Sequence, residues 1–286
     1  MHLQFLGTGS AFTTLNFQTN FILRANGKRL LLDCGGDIRH SMENAGYTHR
    51  AIDEVYISHQ HADHVGGLEW LAFMTYFDPK CKPIPLHLAE DIDDLWHDYL
   101  KISLQYLMLE RAESAAFFKW DALHIPPPND EGLEPEIFRF GHLRLQPVPV
   151  RHVPGGSPAE DMMAYGLRIW GPEEPKVFWT ADTTFDPDRL MPHYEWADRI
   201  IHDCETSCEE EGVQHAIKSG VHAHYWDLVG LPEEIKNKMY LVHYQDNVLG
   251  YNSRVLDDWA ILADAHGFAG FVEPASELVL VPLDDE

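Results

Sequence analysis

The sequence predicts an α/β fold in which two groups of β-strands form two layers of one domain, with helices outside them. Short segments that are apolar throughout or alternate in polarity fall into two groups, with helical segments between them. No segment recurs at a fixed period, and 286 residues with 45% hydrophobic content can bury a core of ordinary size. We therefore expect a single domain over residues 1–286.

The first group of strands opens the chain. A Gly-Thr-Gly-Ser turn follows its first strand, and its third strand runs into Asp33-Cys34-Gly35-Gly36. A short helix is predicted after this turn and ends at Gly46. The strands of this group are predicted at 2–6, 20–23, 28–32 and 51–58.

The middle of the chain has helical spacing over residues 68–77 and 91–121, and the second stretch is predicted to be a helical insertion in the domain. Its aromatic side chains would wall a pocket, form a dimer contact or pack in the core. These side chains are Trp96, Tyr99, Tyr106, Phe117, Phe118 and Trp120. After a proline-rich loop, the second group of strands is predicted at 143–152, 164–170, 176–180, 200–202 and 239–243.

Three histidines and an aspartate, namely His59, His61, Asp63 and His64, fall within six residues directly after a buried strand. Zinc binds imidazole nitrogen and carboxylate oxygen readily, and a catalytic site needs several such groups converging on one point. Alternation along a strand end would point His59 and His61 to the same side. A turn can bring Asp63 and His64 to a second point, where two metal ions about 3.5–4 Å apart would share one water. A histidine-rich surface loop is the alternative interpretation.

Three further candidate ligands each lie where a predicted strand of the second group leaves the sheet. They are His152, Asp182 and His243. Taken alone, each would more often be an ordinary polar loop residue. Together with the first motif they complete two metal sites.

These motifs resemble the metallo-β-lactamase superfamily and, within it, the ribonuclease Z-like branch. The resemblance covers nearly the whole chain and implies a four-layered αββα sandwich with hydrolase activity. The segments that carry it are Phe5-Leu6-Gly7-Thr8-Gly9-Ser10, Asn20, Leu32-Asp33-Cys34-Gly35, His59-x-His61-x-Asp63-His64, Thr180-Ala181-Asp182-Thr183, Ile201-His202-Asp203-Cys204-Glu205 and Leu241-Val242-His243.

By this resemblance, one metal ion would be held by His59, His61 and His152. A second would be held by Asp63, His64 and His243, and Asp182 would bridge both. Zinc is the expected ion for this set of nitrogen and oxygen ligands, with manganese or iron as alternatives. A hydroxide bridging the two ions would attack phosphorus, and Asp63 would also orient it. Asp33 is expected to fix the orientation of a ligand imidazole.

A histidine near the leaving group is also implied by the resemblance, because the departing oxygen needs a proton or a positive partner. His222 and His224 are the two candidates, and the alternative is that they form a structural pair. His222 aligns slightly better with the branch, although the Ser or Thr that follows in the branch is absent here.

The chain departs from the tRNA-processing enzymes of this branch in one respect. Those enzymes carry a long arm between the third histidine ligand and the bridging aspartate, whereas His152 and Asp182 are only 30 residues apart here. The net charge of 21 − 46 = −25 also opposes broad contact with a polyanion. A tRNA substrate is therefore unexpected, and a small phosphodiester such as a cyclic nucleotide is favoured.

Three alternatives stay open at this point. The same dinuclear site could serve a nuclease acting on another RNA or DNA, or a hydrolase of lactones or thioesters. A protein that binds a ligand without turnover is the third. It would not need all seven ligands.

Composition and resemblance also predict the cellular location, the state of the cysteines and the oligomeric state. No segment approaches the roughly 18 to 20 apolar residues that a membrane span needs, and no leader pattern precedes the first strand, so a cytoplasmic location is expected. The four cysteines have neither disulfide-scaffold nor zinc-knuckle spacing, which favours reduced structural thiols over a Cys204–Cys208 metal pair. The ribonuclease Z branch commonly forms homodimers, and we expect the same here.

Overall fold

Two seven-stranded sheets organise the part of the chain that the computed structural model describes. That part comprises residues 1–92, 94–104, 117–125, 135–157, 160–206, 219–245, 261–273 and 275–279. The strands of the first half are β1 (His2–Gly7), β2 (Asn20–Ala25), β3 (Lys28–Leu32), β4 (Glu54–Tyr56), β5 (Ile84–Ala89) and β6 (Phe118–Leu123). Those of the second half are β7 (Phe138–Phe140), β8 (Leu143–Val153), β9 (Met162–Trp170), β10 (Val177–Trp179), β11 (Arg199–Asp203), β12 (Met239–Val242), β13 (Gly270–Phe271) and β14 (Glu277–Val279).

The two sheets have the same internal plan. The first has the order β14-β1-β2-β3-β4-β5-β6, and the second has the order β13-β12-β11-β10-β9-β8-β7. In the first sheet β14, β1, β2 and β3 pair antiparallel, while β3, β4, β5 and β6 pair parallel. The second sheet likewise has a parallel half, β10 to β13, and an antiparallel half, β7 to β10. The parallel halves matter most for function because they carry most of the candidate ligands at their ends.

The helices of the described residues are short. They are α1 (Ile38–Asn44), α2 (Ala62–Val65), α3 (Leu68–Phe77), α4 (Lys101–Leu104), α5 (Pro187–Trp196), α6 (Tyr225–Val229) and α7 (Glu233–Lys236), with 3₁₀ helices at His49–Ala51 and Glu90–Ile92 and a π-helical turn at Trp96–Leu100. Helix α1 packs near β1 of the first sheet. Helix α5 covers the second sheet, because Tyr194 and His193 contact the ring of Phe178 on β10. Helices thus lie outside each sheet, and the predicted α/β fold is confirmed.

The core between the sheets is built around Trp179, whose side chain is 1% exposed. Its ring meets that of Phe21 on β2 edge-on, with 5.0 Å between the centroids, and that of Tyr56 on β4 at 6.3 Å. The hydroxyl of Tyr56 also donates to the carbonyl of Tyr165 on β9 at 2.9 Å. Aromatic contacts and this hydrogen bond therefore fix how the two sheets face each other.

Replacing Trp179 with phenylalanine is expected to lower the free energy of unfolding by about 1–2 kcal/mol, because the smaller ring leaves space between the sheets. Urea denaturation followed by circular dichroism would measure the loss. Trp226→Phe is the matched control, since Trp226 is 44% exposed, and it should change stability by less than about 0.5 kcal/mol. Equal losses in the two variants would contradict this account of the core.

The predicted helical insertion differs from the structure at its C-terminal end. Residues from Phe118 onward form β6, which pairs parallel with β5, instead of continuing the helical stretch to 121. Phe117 and Phe118 are buried, so these two aromatics pack in the core rather than lining an open pocket. The six residues of β6 are too few for the spacing of apolar side chains to distinguish a strand from the end of a helix. Tyr106 lies outside the described residues.

Candidate metal centre

The predicted metal ligands come from both sheets and meet at one place. His59, His61, Asp63 and His64 follow β4 of the first sheet. His152 lies near the end of β8, and Asp182 and His243 follow β10 and β12 of the second sheet. The parallel strands β4, β10 and β12 thus each lead into a segment that holds ligands. The site lies where the two sheets meet.

The tight packing around Asp63 depends on glycine. The backbone N–H of Cys34 donates to the carbonyl of His64, and that of Gly67 donates to the carbonyl of Cys34, each at 2.8 Å. A Cβ on Gly35 would lie 2.2 Å from the carbonyl oxygen of Asp63, and one on Gly67 would lie 2.4 Å from that of Gly35. Gly35 and Gly67 therefore let α2 approach the turn after β3 closely enough to fix Asp63 and His64.

The first cluster consists of three imidazoles, those of His59, His61 and His152. The Nδ1 atom of His61 lies 3.2 Å from Nε2 of His59 and 3.0 Å from Nε2 of His152. Ligand atoms placed tetrahedrally about 2.0–2.1 Å from a zinc ion would be roughly 3.3 Å apart. The spacing of these three nitrogens fits one such ion.

The second cluster consists of Asp63, His64, Asp182 and His243, and their ligand atoms lie within 4.8 Å of one another. Oδ2 of Asp182 is 3.2 Å from Nε2 of His64 and 3.3 Å from Nε2 of His243. The same oxygen is 3.8 Å from Nε2 of both His59 and His152. Asp182 therefore lies between the two clusters, at the position that a bridging ligand would take.

Two buried nitrogens support a cation in the second cluster. Nε2 of His64 and Nε2 of His243 are buried and have no hydrogen-bond partner among the described residues. An unpaired buried polar atom is costly, and both atoms point toward carboxylates that would share a cation with them. The donor set of imidazole nitrogens and carboxylate oxygens fits a divalent transition metal.

The electrostatics of the clusters also favour a cation. Burial lowers the pKa of His59 well below its usual value, and the neighbouring His64 adds to the shift, so the ring is neutral. Burial opposes ionisation of Asp182, but the imidazoles of His243 and His64 outweigh it and hold its pKa well below the ordinary value. Burial likewise opposes protonation of His64, yet Asp182, Asp63 and Asp33 raise its pKa well above the usual value. Binding a metal ion would release the proton of His64.

Asp33 orients two of the imidazoles, as predicted for one of them. Its Oδ2 atom lies 2.6 Å from Nδ1 of His64 and accepts a hydrogen bond from the hydroxyl of Ser58 at 2.8 Å. That hydroxyl lies 3.0 Å from Nδ1 of His59. A buried carboxylate that holds ligand rings in this way fixes their tautomers and their orientation.

The backbone is left-handed at three non-glycine residues of the site. The φ angles are 61° at Asp33, 53° at Ala181 and 63° at His243. Each such residue costs of order 1–3 kcal/mol unless its surroundings hold it. Backbone hydrogen bonds hold two of these three residues in place. The N–H of Asp33 donates to the carbonyl of Tyr56 at 2.9 Å, and the N–H of His243 donates to the carbonyl of Thr8 at 2.7 Å. The ligand set is thus built into the folded chain.

The two candidate histidines for the leaving group lie in different places. Nδ1 of His222 is 2.8 Å from Oδ2 of Asp203 and 3.8 Å from Oδ2 of Asp182, so this ring is beside the metal clusters. His224 is buried at the N-terminus of α6, where its Nδ1 accepts from the backbone N–H of Trp226 at 3.3 Å. None of the ligand clusters in the described part of the chain includes His224. The geometry favours His222.

Asp203 is a site residue whose role the sequence alone did not indicate. It ends β11, which lies between β10 and β12, and its Oδ2 accepts from the backbone N–H of Thr183 as well as contacting His222. Burial opposes protonation of His222. The carboxylate of Asp203, through its charge and its hydrogen bond, outweighs burial and, with a contribution from Asp182, raises the pKa of His222 to about 9. The position of Asp203 at a strand end, next to the strand that leads to Asp182, was the available clue.

Removing bound metal with a chelator is expected to lower Tm by roughly 5 °C or more, because a ligand that binds the folded state stabilises it. The buried carboxylates of Asp63 and Asp182 would then face each other without a divalent cation between them. Differential scanning calorimetry of metal-loaded and chelator-treated protein, followed by zinc addition, would measure the change. An unchanged Tm in protein shown to have lost its metal would contradict the assigned clusters.

Known proteins resemble this chain over nearly its full length. The family model described as Anti-Pycsar protein Apyc1 matches residues 1–276. Anti-Pycsar protein Apyc1 of Paenibacillus harenae is 34% identical over 256 residues, which cover 89% of this chain and 94% of that protein.

Two solved structures have a similar fold. The metallo-β-lactamase fold protein YhfI from Bacillus subtilis superposes with a TM-score of 0.66 at 18% identity, over 97% of this chain and 98% of that chain. Human tRNase Z, short form, superposes with a TM-score of 0.66 at 15% identity, over 99% of this chain and 100% of that chain. These likenesses confirm the predicted metallo-β-lactamase fold and the resemblance to ribonuclease Z.

Proposed function

The chain belongs to the family of Anti-Pycsar protein Apyc1, and on this premise we propose that it hydrolyses a cyclic nucleotide with two divalent metal ions. The chain is a metal-dependent hydrolase with the metallo-β-lactamase fold. The observation that carries the proposal is the position of Asp182, whose Oδ2 atom lies within 3.8 Å of nitrogens from both clusters. One carboxylate in that position suits a dinuclear site.

The net charge of the chain and the length of its β8–β9 connection favour a small substrate. The net charge of −25 opposes a long polyanion across the surface. The connection between β8 and β9 covers only residues 154–161, so a tRNA-binding arm does not fit there. The family membership supports a cyclic nucleotide in particular. We propose that tRNA is not a substrate.

The ligand residues would divide between two ions as the resemblance implies. His59, His61 and His152 would hold one ion, while Asp63, His64 and His243 would hold the other, with Asp182 shared. When bound, two such ions lower the pKa of a coordinated water and neutralise charge on the phosphoryl oxygens. Zinc is our proposal for the ion, because the set contains five imidazoles and two carboxylates.

The protein's own residues supply orientation and a proton. Asp63 belongs to the second cluster and would also orient the attacking water. His222, held by Asp203, would donate a proton to the leaving oxygen. Hydrolysis forms one P–O bond to the water oxygen, which gives up a proton to the solvent, and breaks one P–O bond to the sugar, whose oxygen takes the proton of His222. The product is a nucleoside monophosphate.

A substrate panel tests this function. Metal-loaded protein would be incubated with cyclic AMP, cyclic GMP, cyclic CMP and cyclic UMP, and with a lactone and a thioester as representatives of carboxyl-ester chemistry. We expect conversion of at least one cyclic nucleotide to its monophosphate. Cleavage of the lactone or thioester with no cyclic nucleotide cleaved would overturn the proposal.

We also propose that the protein is a homodimer in the cytoplasm. Helix α3 exposes the apolar side chains of Met74, Tyr76 and Phe77, which supports association with a second copy. The described cysteines Cys34, Cys81 and Cys204 are free thiols, as a reducing compartment would allow. In the described part of the chain, no helix is both long and apolar enough to cross a membrane. Light scattering of the purified protein would report a monomer mass if the dimer proposal is wrong.

A further inference from the structure

The segment from Ser219 to His224 brings two groups to the metal centre. The carbonyl of Val221 accepts a hydrogen bond from Nδ1 of the ligand His152 at 2.8 Å. The next residue, His222, lies against Asp203 at 2.8 Å. A shift of this segment would therefore move a ligand's partner and the proposed proton donor together.

Glu205 fastens this segment at both ends. Its carboxylate oxygens both lie 3.1 Å from the backbone nitrogen of Ser219, and Oε2 also accepts from the hydroxyl of Ser219 at 3.1 Å. Its own backbone N–H donates to the carbonyl of Ala223 at 2.8 Å, and its carbonyl accepts from the N–H of Tyr225 at 2.9 Å. One residue thus spans the stretch that carries Val221 and His222.

The burial and hydrogen bonds of Glu205 indicate that it fixes the position of the turn at Ser219. The residue is 3% exposed, and a buried carboxylate costs free energy unless hydrogen bonds compensate it. Those bonds go to Ser219, which is exposed and is followed by Gly220 in the left-handed conformation at φ 76°. An exposed turn of this kind has little packing of its own, so the bonds from Glu205 fix where it lies.

We propose that Glu205 is a positioning residue that holds the segment from Ser219 to His224 so that His222 faces the leaving oxygen. This inference rests on the proposed phosphodiesterase function. The hydrogen bonds of Glu205 go to Ser219, Ala223 and Tyr225, and none of the candidate metal clusters in the described residues contains it. The consequence is a dependence on the leaving group, since only a poor leaving group needs the proton from His222.

Two variants separate the hydrogen bonds of Glu205 from its charge. Glu205→Ala removes the acceptors for Ser219, and kcat for a cyclic nucleotide should fall about 10- to 100-fold through misplacement of His222. With bis-(p-nitrophenyl) phosphate, whose p-nitrophenolate leaves without a proton, the fall should stay within roughly threefold, because it then reflects only the altered hydrogen bond between His152 and Val221. Glu205→Gln keeps an acceptor oxygen for Ser219 and should restore most of the activity on the cyclic nucleotide. Equal losses on both substrates, or full activity of Glu205→Ala on the cyclic nucleotide, would overturn the proposal.

Amide hydrogen exchange provides a test that does not depend on turnover. Glu205→Ala should speed exchange in the peptide that contains residues 219–225, whereas Glu205→Gln should leave it near the wild-type rate. If Glu205→Ala fails to fold, Ser219→Ala removes one of the same hydrogen bonds from the exposed side and should speed exchange there. Unchanged exchange in the alanine variants contradicts the positioning role. Wild-type protein that cleaves no phosphodiester contradicts the proposed function instead.

Glu54→Ala is the matched control for loss of a partly buried glutamate. Glu54 is at the start of β4, where it contacts His87 at 3.0 Å and Lys28 at 3.4 Å. Its loss should lower stability without changing the ratio of the two substrates. A change of that ratio in Glu54→Ala as large as in Glu205→Ala would show that the ratio reports general loosening, and would overturn the assignment.

Discussion

Replacing Asp182 with alanine is expected to lower kcat by about 10³-fold or more, since a metal-centred site contributes several kcal/mol to the transition state. Oδ2 of Asp182 approaches the nitrogens of both clusters, at 3.2 Å from His64 and 3.8 Å from His59 and His152. Its loss removes the one carboxylate that the two clusters share. The variant should therefore also bind less metal per chain.

Turnover of bis-(p-nitrophenyl) phosphate and metal content by mass spectrometry would measure both effects. Asp188→Ala is the matched control, because Asp188 is exposed in the first turn of α5, six residues from Asp182. That variant should retain full activity and full metal content. An Asp182→Ala protein that keeps wild-type metal content and turnover would refute a bridging role for this carboxylate.

The second large effect is expected at His222. His222→Ala should lower kcat for a cyclic nucleotide by about 10²-fold to 10³-fold, the usual contribution of a general acid. The loss on bis-(p-nitrophenyl) phosphate should be less than about 10-fold, because that leaving group departs as a stable anion. The ratio of the two losses, measured under saturating substrate, distinguishes proton donation from damage to metal binding.

His224→Ala is the comparison that decides between the two histidines. His224 caps α6, so its loss should lower the free energy of unfolding by about 1 kcal/mol. Both substrates should then be hydrolysed at similar fractions of the wild-type rate. A strong preference for the activated substrate in His224→Ala, without one in His222→Ala, would assign the leaving-group role to His224.

The candidate ligands could be predicted from the sequence because each lies at or shortly after the end of a strand. His59 to His64 form a dense motif after a buried strand, and Asp182 and His243 end apolar runs that sequence alone identifies as strands. Strand ends also converge in layered folds, so the sequence alone could place residues that are distant in the chain in one site. The two clusters contain the residues that the resemblance implied for them.

Other parts of the site could not be predicted because they depend on tertiary contacts. No sequence pattern indicates the roles of the Val221 carbonyl and the Glu205 side chain, since these roles arise from hydrogen bonds to residues distant in the chain, His152 and Ser219. The left-handed backbone at Ala181 is equally hidden, because alanine rarely adopts a positive φ. Residue type and spacing identify what a site contains, while such contacts decide how it is held.

The division of the ligands between the two sheets has a consequence for biosynthesis. The segment from His59 to His64 leaves the ribosome before Asp182, and His243 follows later still. A nascent chain therefore carries four candidate metal ligands long before the carboxylate of Asp182 is synthesised. If two ions bind as proposed, loading of both would have to wait until β12 has joined the second sheet, so the newly made protein would become active only after most of the chain has been translated.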